Sequence, residues 1–488
     1  MRGPVLVTMT AGLFLSACAS PDAIVRFGAP NAGFAETEKT VRDALGKETA
    51  WIQSSQEAAQ TAERVHALVH RKTINADTAV QVALLNNRGL QAAYAELGLS
   101  AADRWQVTMQ PNPVISIGIM GIGADGVGPF RAVEGMIANN LLALATQERR
   151  NDIADTRFRQ AQLRAAEETL RVAMEARTGW IDAVAAFEAA ALVRQAEGTA
   201  DAASELAAQL GETGFLNKSG QARDQAFHAE LAGQRARALL DAQLAKERLT
   251  RALGLWGTDV DYFVPDALPK LPAGPSTRPG IEAEALARRV DLAIAKLELE
   301  AVAREKRLTD ATRFVSDLEL IAGFESERET DEATGARETD TTGQIEVEFD
   351  IPIFDSGRAR LKSAEAAYLR AAHQLAEKAV NVRSEAREAH LALTGAHRIA
   401  RHYRDTVLPL RRQIEEEALL SYNAMITSPF DLLADIREGL NSSLSEAQAR
   451  ADFWRAEAGL VGAIYGGGTP GGGGGRTVVP QGGGAAEH

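Results

Sequence analysis

Two kinds of hydrophobic spacing alternate along this chain, and they do so twice in the same order. Between about 145 and 210, apolar residues recur at steps of three and four: Leu163, Ala166, Leu170, Ala173, Trp180, Val184, Phe187 and Ala191, interrupted by Arg177. The same steps return at Leu375, Ala379, Val382, Ala386, Ala389, Leu393, Ala396, Ala400 and Tyr403. Spacing of this kind sustained over many turns predicts coiled-coil helices, and alanines in the seam let the partners approach closely. At about 1.5 Å per residue each helix would be on the order of 100 Å long. Glycine- and proline-bearing breaks near 211–214 and 426–429 predict reversals, with return helices ending at about Leu253 and Ile464.

Ahead of each long helix the period changes to two. Val114-Ile115-Ser116-Ile117-Gly118-Ile119 and Asp317-Leu318-Glu319-Leu320-Ile321-Ala322 read as strands. A weak return strand is expected near 132–142. A strong one, Gln344 to Ile351, has apolar odd positions and polar or acidic even ones. The loops between them are expected at 121–129 and 325–343. A helix precedes each first strand: Leu90-Gln91-Ala92-Ala93-Tyr94-Ala95-Glu96-Leu97 matches Leu292-Ala293-Ile294-Ala295-Lys296-Leu297-Glu298-Leu299, 202 residues on. The strands match only at 203 (Ile115 with Leu318), because a one-residue slip would turn every side chain to the other face. The second hairpin therefore puts Leu318, Leu320, Phe324, Ile345, Val347, Phe349 and Ile351 on one face. Asp317, Glu319, Glu325, Glu346, Glu348 and Asp350 lie on the other.

Composition narrows the class. The 488 residues are 45% hydrophobic but only 5% aromatic, a mix that favours long helices over a thick globular core. A net charge of −13 argues against a nucleic-acid partner. Arg2 and a short apolar run from 5 to 15 read as a targeting segment, too short to span a bilayer. The run ends in Leu15-Ser16-Ala17-Cys18, similar to the lipobox of bacterial lipoproteins, which implies acylation of Cys18, the only cysteine. No later stretch approaches the roughly 18 apolar residues of a membrane helix, so any crossing of the bilayer must use strands. Gly121-Ile122-Gly123-Ala124-Asp125-Gly126 matches G-x-G-x-x-G without the helix that motif requires, and reads as a hairpin loop. His66 and His70 share a helix face near Glu63, a spacing more often incidental than metal-binding. No catalytic set, metal site or cofactor motif is found, so the expectation is not an enzyme.

The plan of helix, strand hairpin and long helical hairpin, repeated once, resembles the TolC family of outer-membrane efflux proteins over about 77–465. Ile351-Pro352-Ile353-Phe354-Asp355-Ser356-Gly357-Arg358 is similar to the family's strand-to-helix junction, and Tyr422-Asn423-Ala424 with Phe430-Asp431-Leu432-Leu433 to the tip of its second helical hairpin. The first junction, 141–147, lacks both the Pro and the Gly of that motif. The resemblance implies a mainly α fold with a small β part, in which three chains share a 12-stranded outer-membrane barrel above a periplasmic helical tunnel. It implies a passive conduit with no cofactor, whose partners are two further copies, a periplasmic adaptor, an inner-membrane transporter and outer-membrane lipid. It places Asp431 at a periplasmic gate, with Asp435 a shifted substitute for a second aspartate. Thr213, Gly214, Thr427 and Ser428 fall at the adaptor-contact tips, and Glu319, Glu325, Glu346, Glu348 and Asp350 in the barrel lumen. The expected organisation is a signal peptide at 1–17, an N-terminal periplasmic segment at 18–76 with an amphipathic helical run from Glu36 to Val69, repeats at 77–275 and 276–465, and a glycine-rich disordered tail at 466–488. Four strands leave two open edges that cannot face lipid and are too few to enclose a pore, so closure by copies of the chain follows independently. A purely structural periplasmic coiled-coil lipoprotein would account for the helices but not for strand hairpins at equivalent points of two repeats.

Overall fold

Residue 87 and residue 289, 202 positions apart, break their helices in the same way. In the computed structural model Asn87 (φ −64°, ψ 120°) and Arg289 (φ −71°, ψ 120°) each end a short helix in extended backbone, and a longer helix follows at once. The structure describes residues 25–123, 130–212, 218–275, 278–330, 337–423 and 429–467. Helices α1 (Phe34–Leu45) and α2 (Ser55–Val69) come first. The first repeat is α3 (Ala76–Asn86), α4 (Arg88–Thr108), β1 (Val114–Met120), β2 (Ala132–Asn140), the short α5 (Leu141–Ala145), α6 (Gln147–Glu212) and α7 (Lys218–Leu253). The second is α8 (Ile281–Arg288), α9 (Val290–Ala311), β3 (Leu318–Thr330), β4 (Arg337–Phe349), α10 (Arg358–His402), α11 (Leu408–Asn423) and α12 (Pro429–Tyr465). The mainly α, two-repeat plan is therefore as expected. The loop expected at 124–129, the helical-hairpin turns at 213–217 and 424–428, and the tail from 468 lie outside the described residues.

Two compact units cut across the repeats, each drawing segments from both. One joins the chain up to Asp43 with 91–166 and 290–380. Its core begins where Phe34 meets Tyr94 edge to face at 4.8 Å and Phe27 meets Phe158 at 5.5 Å. Phe158 lies over Gly33, where φ is +79° and an added Cβ would fall 2.5 Å from the ring. Arg157 ties α6 to α9 through Glu298 and Glu305 (2.5 and 3.0 Å). Burial works against ionisation of Glu298, but a Gln160 hydrogen bond and the Arg157 charge hold its carboxyl below the usual value.

The other unit joins 44–90, 167–289 and the chain from Asn381 on. Here α6 is buried beyond its seam, because Val172, Met174, Ala176, Ile181 and Ala183 are covered as well as Leu170, Ala173, Trp180 and Val184. Arg177, the interruption in the seam, points to Asp77 in the first turn of α3 at 2.7 Å. The indole of Trp180 donates to the Ile74 carbonyl at 2.9 Å. Asn86 and Asn87 donate to the last carbonyls of α7, on Leu253 and Ala252, so the end of the first helical hairpin is fastened to its start. Gly254 allows this approach: φ is +67°, and a Cβ would meet the Asn86 carbonyl oxygen at 2.9 Å.

The expected single amphipathic run from Glu36 to Val69 is two helices. Gly46 (φ +63°) follows the end of α1, and Ser54 starts α2 with a reciprocal cap to Glu57. The second long helix also carries a π turn at Tyr403–Val407. Pro409 has no N–H and its ring would strike the carbonyl four residues back, on Asp405, which accounts for the widened turn.

At the second strand-to-helix junction Gly357 donates its N–H to the Asp355 carboxylate (2.8 Å), and Leu361 N–H donates to the Gly357 carbonyl to begin α10. Gly357 has φ +70°, and a Cβ there would lie 2.7 Å from the Arg313 carbonyl oxygen. The first junction solves the same problem with Asn140, whose side chain accepts from Ala143 N–H at 2.6 Å and donates to Asp317 at 3.2 Å. Gly357→Ala is expected to destabilise the protein by more than about 1 kcal/mol, the left-handed cost alone. By contrast, Gly395→Ala, in open space within α10, should stabilise it by up to about 1 kcal/mol. Thermal unfolding midpoints moving in opposite directions would verify both.

Candidate functional site

A single antiparallel sheet of order β1-β2-β3-β4 holds the chemistry that the sequence singled out. Its central pairing, β2 with β3, joins hairpins from the two repeats, matching Gly135 with Phe324 and Ile137 with Ala322. The register sorts the side chains into two faces, since directly paired residues share a face. One face carries Ile115, Ile117 and Ile119 from β1, Leu318, Leu320 and Phe324 from β3, and Ile345, Val347 and Phe349 from β4. Leu318 and Leu320 are half-buried, and the others are exposed in the single chain, up to 76% for Ile117 and 81% for Ile345. Farther along the β3–β4 hairpin the same face turns polar, at Ser326 with Thr341 and Arg328 with Thr339.

The opposite face is acidic. Glu319 pairs directly with Glu348, Glu346 lies opposite Ile321, and Glu325 stands between Thr342 of β4 and Glu134 of β2. These four expected residues therefore share one face. Asp350 does not belong to the strand: β4 ends at Phe349, and the Asp350 carboxylate accepts from the Ser316 hydroxyl at 3.1 Å. The expected loop at 325–343 is largely strand, which adds Glu327 opposite Asp340 and Glu329 opposite Glu338 to the acidic face. Periodicity could not report these positions, because 337–343 is polar on both faces and only its pairing with β3 makes it a strand. Glu134 was missed for a similar reason, since Gly135 and the run Ala138-Asn139-Asn140 obscure the alternation of β2. Like charges directly opposite are unfavourable in a sheet, so this arrangement has a cost that the fold by itself does not explain.

In the other compact unit, Asp431 is exposed in the first turn of α12. Asp435, one turn on, lines a cavity of about 540 Å³ among α6, α11 and α12, with Gln195, Arg412, Glu415 and Gly439 also in its wall. The Glu415 side chain lies against Gly439, where a Cβ would fall 1.7 Å from its Oε1. Burial pushes the Glu415 carboxyl above the ordinary 4.5; Arg412 and Arg411 oppose the shift and Asp435 adds to it. The expected adaptor-contact residues Thr213, Gly214, Thr427 and Ser428 and the expected lipidation site Cys18 lie outside the described residues. No described helix is long and apolar enough to cross a membrane.

Long helical hairpins thus alternate in this chain with strand hairpins that share one four-stranded sheet. Among solved structures the chain is similar to the outer-membrane channel OprN, at 20% identity and a TM-score of 0.62, over 93% of this chain and 97% of that one. It is similar to the Campylobacter jejuni CmeC outer membrane channel at 16% identity and a TM-score of 0.67, over 88% and 92%. The outer membrane protein VceC from Vibrio cholerae gives 16% and 0.66, over 80% and 96%. The fold is thus that of these channels. No protein-family model matches the sequence, and no curated protein does.

Because the folded chain holds the Glu415 proton more tightly than the unfolded chain, this group's contribution to stability falls as pH rises from about 4.5 through the folded pKa. Glu415→Gln is expected to raise the unfolding midpoint at neutral pH and to leave it unchanged well below pH 4.5, as measured by circular dichroism melts across that window.

Proposed function

We propose that the chain is one subunit of a homotrimeric outer-membrane channel, a passive conduit that carries substrates from a periplasmic adaptor and inner-membrane transporter to the exterior. The sheet is the observation that carries this reading. One face is apolar and exposed, the other is acidic, and both edge strands lack partners within the described chain. An apolar face with open edges is stable in lipid only when the edges are paired, because no water is present to bond the backbone. Three copies supply twelve strands, enough to leave a lumen where eight would be filled by side chains. The apolar stretch of β3 from Leu318 to Phe324 is about 23 Å long at 3.3 Å per residue and, at the tilt of barrel strands, covers about 16–19 Å of the roughly 25 Å apolar band.

A second copy also has a surface to meet. Leu369, Val380 and Leu391 on α10 are exposed and eleven residues apart, a spacing that keeps them on one helix face. In the trimer, Glu319, Glu325, Glu346 and Glu348 line the lumen, joined by Glu134. Asp431 forms a ring at the periplasmic entrance, and the tips at Thr213, Gly214, Thr427 and Ser428 face the adaptor. Cys18 carries the acyl anchor. The repeat boundaries at 77–275 and 276–465 belong to the same proposal.

Reconstituted in planar bilayers, the purified protein is expected to form cation-selective pores, and Glu346→Gln with Glu348→Gln should weaken that selectivity. The absence of pores, together with migration as a monomer before and after heating, would sink the channel in favour of a structural coiled-coil lipoprotein. Anchoring is tested separately: Cys18→Ala is expected to abolish labelling by radioactive palmitate, and unchanged labelling would refute the anchor while leaving the channel standing.

A further inference from the structure

Helix α2 ends beside a turn that lies some 190 residues later in the chain, and the two bring three metal-ligating side chains together. His66 and His70, four apart, share a face of α2 and its C-terminal cap. Their rings stack with centroids 4.4 Å apart and planes at 19°. Asp259 comes from the 3₁₀ turn Gly257–Val260 and places Oδ1 2.6 Å from His66 Nδ1. His70 Nδ1 lies 3.2 Å from the Thr258 carbonyl oxygen. One ligand atom from each of His66, His70 and Asp259 lies within 4.8 Å of the other two.

The scaffold beneath these groups is rigid. Arg71, at φ +51°, turns the chain out of α2 and donates its N–H to the Asp261 carbonyl at 2.7 Å. Phe263 N–H then donates to Lys72, and Ile74 N–H to Phe263, each at 2.9 Å. The turn bearing Asp259 is thereby held against the end of α2 by backbone hydrogen bonds, as preorganised ligand sites require. A carbonyl can only accept, so His70 Nδ1 carries its hydrogen and its Nε2 keeps the lone pair. A backbone carbonyl holding the far nitrogen of a ligating imidazole is a recurrent feature of metal sites.

We propose that His66, His70 and Asp259 bind a divalent transition-metal ion of the zinc type, with water completing its coordination. Two imidazoles and a carboxylate suit Zn²⁺ and its first-row neighbours; Ca²⁺ and Mg²⁺ prefer oxygen-only sites, and Cu⁺ prefers thiolate. The ion clamps the end of α2 to the close of the first repeat. The competing account is a His66–Asp259 hydrogen bond and a stacked ring, with no role for an ion.

Zn²⁺ alone is the probe, titrated calorimetrically into the full-length detergent-solubilised protein after chelator treatment. Saturable binding of one ion per chain is expected, together with a rise in unfolding midpoint as Zn²⁺ is added. His66→Ala and His70→Ala should each weaken binding by at least about tenfold, the lower limit seen even for second-layer partners of a metal. Asp259→Asn keeps an acceptor for His66 and so preserves the fold contact, yet should weaken binding as well. Circular dichroism without zinc checks that the variants fold. The clamp is overturned by an absence of saturable binding, by an unmoved midpoint, or by unchanged affinity in the His66→Ala/His70→Ala double variant. None of these readouts depends on pore formation.

Discussion

The hydrogen bonds between β2 and β3 connect two hairpins separated by the mostly helical segment 141–317, and the rest of the sheet is arranged around that ladder. Bringing such distant strands together costs loop-closure entropy, though only logarithmically in the length of the intervening chain. The helical hairpin between them offsets the cost locally: α6 and α7 return the chain near its start, where Asn86 and Asn87 hold the last carbonyls of α7. With the centre of the sheet paired in this way, β1 and β4 are left as edges. Unpaired strand edges invite further strands, and in lipid they require them. The same ladder that orders one chain therefore leaves β1 and β4 as the edges at which the proposed trimer would close.

The sheet also fixes which charges are close. Because register puts paired residues on one face, Glu319 faces Glu348, while Glu327 faces Asp340 and is paired with Arg131 at 2.8 Å. Repulsion of this sort is tolerated where the face is wet. The apolar side has no such alternative, and its exposure in the isolated chain is as informative as the charge. Protein surfaces seldom present a contiguous apolar area of that extent unless something covers it.

Two junctions show how one architecture accepts different local chemistry. Passing from strand to helix needs a stop for the ladder and a partner for the first helical N–H groups. Asp355 and Gly357 provide these in the second repeat, with Gly357 pressed against the Arg313 carbonyl, while Asn140 supplies them in the first. The missing Pro and Gly at 141–147 thus alter the means and not the outcome. Arg177 behaves similarly, since a charge that breaks the hydrophobic seam is accommodated by Asp77.

Long-range periodicity was legible from the chain alone. The repeat offset, the helix end at Leu253, the end expected at Ile464 and found one residue on, and the faces of β1, of β3 from 318 to 325 and of β4 from 344 to 349 all follow from spacing that depends only on residues near one another. The capping box at Ser54 and Glu57 was equally local, and its four residues could have divided the expected run from Glu36 to Val69. Other features could be decided only by the tertiary structure. The polar half of β4 is a strand because β3 lies beside it, Asp350 leaves the acidic face because the ladder stops at Phe349, and Asp259 joins His66 and His70 because a turn is folded back onto α2. In each of these the determining partner lies well away in sequence, and hydrophobic period carries no information about polar groups that meet through such returns of the chain.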